Sequence, residues 1–144
     1  MKRHFFKTCF LFAVGGVIFC LLEVCWRGYS HPSMLVVGGL CFLIIGQINE
    51  HLLTWNMPLL LQMGIAAVLV TAVELVSGLV LNGWLGLGDW EYSAFPGNLW
   101  GQICPQFAAL WFLLSAAGIL LDDYIRYWFF GEERPRYTLI MRRK

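Results

Sequence analysis

Four long apolar stretches constrain this chain more than any other feature of its sequence. They fall at about residues 8–26, 34–53, 57–81 and 99–121. An α-helix needs about 20 mostly apolar residues to cross a bilayer. Charged residues make up only 13% of the 144 residues, about half the share found in soluble domains. The sequence therefore predicts an all-α integral membrane protein with four transmembrane helices in one domain, residues 1–131.

The distribution of lysine and arginine predicts the orientation of these helices. Basic residues precede the first stretch and follow the fourth, whereas the links at 27–33 and 82–98 contain only Arg27. The positive-inside rule then places both termini and the basic tail 132–144 in the cytoplasm. No small-residue cleavage site follows the first stretch, so we interpret it as an uncleaved helix and not as a signal peptide.

Two aromatic segments are predicted to lie at the membrane surface. Residues 82–98 form the longest link and are rich in glycine and aromatic residues, and residues 124–130 concentrate Tyr, Trp and Phe. Tryptophan and tyrosine prefer the headgroup level of a bilayer. We therefore expect an interfacial or re-entrant loop at 82–98 and an interfacial anchor at 124–130.

The first and third stretches share a spacing that indicates an internal repeat. Small residues that end in a glutamate recur at an offset of 51, which puts each set on one helix face. The two sets are Ala13, Gly16, Cys20, Glu23, Arg27 and Gly64, Ala67, Thr71, Glu74, Gly78. The pattern predicts two like-oriented hairpins, as in transporters with parallel repeats.

Glu23 and Glu74 are the sharpest candidates for a functional site. A carboxylate inside an apolar helix is costly and usually faces a protein partner or a water-filled cavity. Either the two acids bind an ion, a proton or a polar solute, or they make interhelical hydrogen bonds near the interface. Arg27 lies four residues after Glu23, a favourable spacing for an ion pair. Our hypothesis is that Arg27 or a polar group of the fourth helix serves both glutamates.

Polar residues also mark the approach to the fourth helix. Asn98, Gln102 and Gln106 recur every four residues and would form a polar strip on one helix face, and Pro105 should bend that helix. The strip is interpreted either as a binding feature or as a set of interhelical hydrogen bonds. Before it, acids alternate with aromatic residues, which would recognise a cationic or sugar-like group or form an interfacial belt. These candidates are Asp89, Trp90, Glu91 and Tyr92.

Several classes of function find no support in the sequence. The five cysteines lack paired metal-ligand spacing and are interpreted as packing residues, so we expect no metal and no cofactor. The net charge of +1 comes without a basic stripe, which argues against nucleic acid as a partner. No phosphate-binding loop, metalloprotease or hydrolase motif is present, so we do not expect an enzyme.

The segment 89–104, DWEYSAFPGNLWGQIC, resembles the signature of the family named Putative ABC-transporter type IV, a group of small bacterial membrane proteins. Glu23 and Glu74 are also similar to the family pattern, and the resemblance extends from about residue 15 to residue 131. The chain departs from the signature at Gly97, where the family has phenylalanine. The resemblance implies a multi-spanning protein of the bacterial cell membrane, named as a permease, and it assigns no residue a role.

Three functions are compatible with these observations. The first is a permease-like component for a small polar or cationic solute, which would need a separate ATPase subunit or self-association and a polar cavity near the glutamates. The second is a membrane scaffold or accessory subunit, in which the polar groups pair with one another in a dry bundle. The third is a membrane enzyme acting on a lipid-linked substrate, with Asp89 and Glu91 as the acids.

Overall fold

The computed structural model describes residues 1–48, 58–88 and 90–138, and within these ranges the fold is helical. The helices are α1 (Lys2–Arg27), α2 (Pro32–Gln47), α3 (Leu59–Gly78) and α4 (Pro105–Phe130). A six-residue π-helical segment, Leu79–Trp84, continues α3. The described ranges contain no β-strand, only a single bridge between Leu99 and Ile103. The predicted all-α class with four helices is confirmed.

Three of the helices are long and apolar enough to cross a membrane. They are α1, α3 together with its π-helical segment, and α4, each spanning 26 residues. α2 is equally apolar but has 16 residues in the described part of the chain. The end of the second predicted span, at residue 53, lies outside the described residues. Length and composition thus indicate a membrane protein.

The fourth helix begins and ends later than the sequence pattern indicated. It begins at Pro105, because proline fits the first turn of a helix, where its missing N–H would have had no intrahelical partner. It continues through residues 124–130 to Gly131, whose left-handed φ of 67° ends the helix. The prediction that Pro105 bends a helix is therefore wrong, as is the polar strip, since Asn98 and Gln102 precede the helix.

α1 and α2 pack by placing aromatic rings over glycines in both directions. The Phe42 side chain of α2 lies over Gly15 of α1, and the Phe19 side chain of α1 lies over Gly38 of α2. Small residues let membrane helices approach closely enough for such contacts. The reciprocal arrangement fixes the register of the two helices.

Gly38→Ala is expected to destabilise the protein by about 1–3 kcal/mol, the range for overpacking a tight contact. The added Cβ would overlap Phe19 Cβ and Cγ, which are not the flexible end of that side chain. Reversible unfolding in mixed micelles measures the change. Gly64→Ala on α3 is the matched control, because its Cβ would meet no atom of the described residues within 4 Å. Equal effects of the two substitutions would contradict the packing described.

Charged residues are buried where α1 begins and α4 ends, which we call the terminal end of the bundle. The Asp122 side chain is fully buried and accepts a hydrogen bond of 2.8 Å from Arg126 Nε. Gly46 of α2 lies against this pair, since a Cβ at Gly46 would come within 2.6 Å of Asp122 Oδ1. Lys7 Nζ of α1 lies 2.5 Å from Glu132 Oε1. The terminal end thus connects three helices through charged groups that the sequence pattern did not single out.

The first part of the tail folds back onto the terminal end. Tyr137 donates a 2.6 Å hydrogen bond to Asp123 Oδ2, and burial together with this bond raises the pKa of the Tyr137 phenol. The Thr138 carbonyl accepts a 2.6 Å bond from the backbone N–H of Leu59, the first residue of α3. Residues 131–138 therefore supply a partner to a helix N-terminus that would otherwise have unsatisfied donors.

Candidate functional site

Glu74 of α3 is the centre of a polar cluster at the loop end of the bundle, where α3 ends and α4 begins. Its side chain is 7% exposed. One carboxylate oxygen accepts a 2.8 Å hydrogen bond from the Tyr92 hydroxyl, and the other accepts a 2.9 Å bond from Trp111 Nε1. Both partners are neutral, and no basic side chain in the described ranges pairs with Glu74. The carboxylate thus joins α3 to α4 and to the loop between them.

An aromatic stack encloses the cluster. The Tyr92 ring stacks on Phe107 with centroids 4.6 Å apart, and Phe107 contacts Trp111 at 6.4 Å. Trp111 stacks in turn on Phe19 of α1 at 5.9 Å. Burial raises the pKa of the Tyr92 phenol, and the negative charges of Glu74 and, to a smaller extent, Glu23 raise it further. Tyr92 therefore acts as a neutral hydrogen-bond donor.

The loop that carries Tyr92 is held together by side-chain amides. Asn82 Nδ2 donates to Gln102 Oε1 at 2.9 Å and to the Trp90 carbonyl at 3.0 Å. Trp90 Nε1 donates to the Gln102 carbonyl at 3.1 Å. Asn98 bonds inside the loop, donating to the Phe95 carbonyl at 2.8 Å. Gln102 and Asn98 therefore organise the loop, and neither lies on a helix face.

A strained turn presents an aromatic side chain at the tip of this loop. Trp100 has a φ of 53°, unusual for a residue with a side chain, and Gly101 follows with a φ of 68°. The Gln102 N–H donates to the Leu99 carbonyl at 3.1 Å and closes the turn. Trp100 is 67% exposed. A strained, exposed tryptophan suits the headgroup region, as the sequence predicts for this loop.

Asn82→Ala is expected to loosen the loop by about 1–2 kcal/mol, since it removes two hydrogen bonds and leaves acceptors in a partly buried region. Hydrogen exchange of the loop amides in detergent measures this loss. Exchange should accelerate at residues 90–103, while the amides of α1 keep their protection. Unchanged exchange in the loop would show that Asn82 does not hold it.

Glu23 and Glu91, two further predicted site residues, bond differently from Glu74. Glu23 accepts from Arg27 Nη2 at 3.0 Å and from Ser30 Oγ at 2.9 Å, close to its own helix end. Glu91 is exposed and accepts from Ser93. Asp89 lies outside the described residues. The structure thus brings Glu74 together with Tyr92, whereas the hydrogen bonds of Glu23 come from its neighbours in sequence.

Sequence reasoning missed two residues of the cluster. Trp111 lies within the fourth apolar stretch, where a tryptophan looks like a lipid-facing residue, and Asn82 lies at the boundary of the third. The signal that could have found Trp111 is the need of a buried carboxylate for donors. A tryptophan placed in the middle of an apolar helix supplies an indole N–H at low cost.

A groove opens beside the cluster between α1, α2 and α4. Its volume is about 260 Å³, and its walls are almost entirely apolar, with Ser115 and Trp111 as the polar exceptions. The Ser115 hydroxyl donates to the Trp111 carbonyl at 2.5 Å, so it is already bonded. The apolar walls of the groove therefore suit a hydrocarbon group better than water.

Comparison with known proteins gives one family. Residues 2–132 match the family described as Putative ABC-transporter type IV. Searches of curated proteins and of solved structures gave no match.

Proposed function

Since the chain belongs to the Putative ABC-transporter type IV family, we propose that it is an accessory membrane subunit of a transporter driven by a separate ATPase. The observation that carries this proposal is the state of the Glu74 cluster. The acid is bonded to Tyr92 and Trp111, and the adjoining groove is apolar. These are the properties of a dry bundle whose polar groups hold its elements together.

The ATPase in this proposal is another chain. The 144 residues contain no phosphate-binding loop of the GxxxxGK[ST] type, so this chain has no such means of hydrolysing ATP. We further propose that the chain is not an enzyme and lies in a bacterial cell membrane with both termini in the cytoplasm. Its basic residues at both ends support that orientation.

Purification from the native membrane in mild detergent tests the proposal. We expect a nucleotide-binding subunit to copurify, and its ATP hydrolysis in proteoliposomes to depend on this chain. The purified chain alone should leave liposomes impermeable to small cations and polar solutes. Recovery of the chain without an ATPase, even after crosslinking in the membrane, would contradict the proposal.

A permease-like function for a small cationic solute is the second candidate. It is favoured by the absence of a basic partner for Glu74 in the described ranges, because a buried carboxylate without a cation is costly. This candidate predicts that liposomes containing the chain take up a cation and that Glu74→Gln abolishes the uptake. Uptake by wild type would favour it over the accessory function.

A further inference from the structure

The groove between α1 and α4 has the dimensions of a hydrocarbon chain. A helix about 10 Å in diameter fills about 400 Å³ for each turn of its pitch. The groove holds about 260 Å³, which is less than one turn, so a partner helix would place only side chains in it and not its backbone. An extended acyl or alkyl chain is thinner, and it can lie along the walls formed by Gly15 and Phe19 of α1 and by Leu114 and Gly118 of α4.

The groove and the Glu74 cluster share a wall. Trp111 lines the groove, and its indole N–H bonds to Glu74 Oε2 at 2.9 Å. From Trp111 to Leu121, the lining of α4 extends over ten residues, about 15 Å at the rise of an α-helix. A chain lying in the groove would therefore have one end beside the indole that contacts the carboxylate.

The charge at that end of the groove favours a cation. Within the described ranges, the Glu74 carboxylate accepts hydrogen bonds from two neutral donors, Tyr92 and Trp111. Arg27 of α1 bonds to Glu23. An ammonium group that approaches beside the indole would pair with the Glu74 carboxylate, since a buried charge is costly without a partner.

We propose that this groove binds a single-chain cationic amphiphile, with its hydrocarbon chain between α1 and α4 and its amine at Glu74. This inference goes beyond the accessory function and does not depend on an ATPase. In this proposal the ligands of the groove are long-chain amines, and Glu74 selects their head group.

Photolabelling of the purified chain in phosphatidylcholine nanodiscs tests this inference without any partner. The probes are a long-chain alkylamine and the fatty acid of equal length, each with a diazirine on the chain. We expect the amine to label α1 and α4 peptides along the groove. It should do so about tenfold more strongly than the acid, which corresponds to one charge-assisted contact. Equal labelling by both probes would overturn the selection of a cation.

Matched variants separate the chain from the head group. Gly118→Leu fills the groove and should abolish labelling by both probes. Gly64 of α3 has no neighbouring atom in the described part of the chain, so Gly64→Leu should leave the labelling unchanged. Ala117→Leu, at an exposed position of the same wall, gives a second filling variant if the first fails to fold. Glu74→Gln should keep chain labelling but lose the preference for the amine. The proposal would be overturned if Glu74→Gln kept the preference for the amine. It would also be overturned if labelling persisted in both Gly118→Leu and Ala117→Leu.

Discussion

Arg126→Ala is expected to destabilise the protein by about 3–5 kcal/mol, the cost of removing one partner from a buried ion pair. Asp122 has no exposed surface, Arg126 is 4% exposed, and the two bond at 2.8 Å. Without the guanidinium, the Asp122 carboxylate would be buried without its bonded cation. Arg126 Nη1 also lies 3.9 Å from Glu132 Oε2, so the substitution would remove this ion pair with the tail as well. Reversible unfolding in mixed micelles measures the loss.

An exposed ion pair in the same chain is the control for Arg126. Arg136 and Glu133 approach to 2.6 Å, with side chains 73% and 57% exposed. Solvent screens such pairs, so Arg136→Ala should cost less than about 1 kcal/mol. Replacing Asp122 by asparagine in the Arg126→Ala background should restore part of the stability, because the negative charge that Arg126 had neutralised is then gone. Equal costs for Arg126→Ala and Arg136→Ala would show that the buried pair does not stabilise the terminal end.

The Asp122–Arg126 pair is buried, and a local hydropathy pattern does not show this burial. Asp122 and Arg126 follow directly on the fourth apolar stretch, where charged residues usually meet the headgroups. Gly46 of α2 lies against this pair, and Tyr137 of the tail bonds to the neighbouring Asp123. A hydropathy pattern contains neither contact, since each joins residues that lie in different elements of the fold. The helices themselves were predictable, because a backbone in lipid must satisfy its hydrogen bonds internally.

The loop-end site was predictable in part, because a charged side chain in an apolar stretch needs hydrogen-bond partners. A glutamate inside an apolar stretch predicts a buried acid even when its partners are unknown, and Glu74 is buried. The spacing of Asn98 and Gln102 was misleading, because helical periodicity has no meaning before a helix begins. Pro105 sets that beginning, and the turn at Trp100 redirects the chain just before it. The internal repeat and the orientation of the termini stay predictions.

Glu74→Ala is expected to release the loop from α3 at a cost of about 2–4 kcal/mol, since two partly buried donors lose their acceptor. The Tyr92 hydroxyl and the Trp111 indole N–H both donate a hydrogen bond to this carboxylate. The Tyr92–Phe107 stack would still hold part of the loop, so we expect local opening and not global unfolding. Hydrogen exchange of residues 90–103 and limited proteolysis in detergent report the opening.

A double-mutant cycle between Glu74 and Tyr92 distinguishes this hydrogen bond from general packing. Tyr92→Phe keeps the ring on Phe107 and removes only the hydroxyl, so alone it should cost about 1–2 kcal/mol. In the Glu74→Ala background the same change should cost almost nothing, because the hydroxyl has already lost its acceptor. Glu74→Gln keeps an acceptor for one of the two donors and should lie between wild type and Glu74→Ala. Strictly additive effects of Glu74→Ala and Tyr92→Phe would mean that the carboxylate does not hold the loop. The accessory function argued from this cluster would then lose its structural basis.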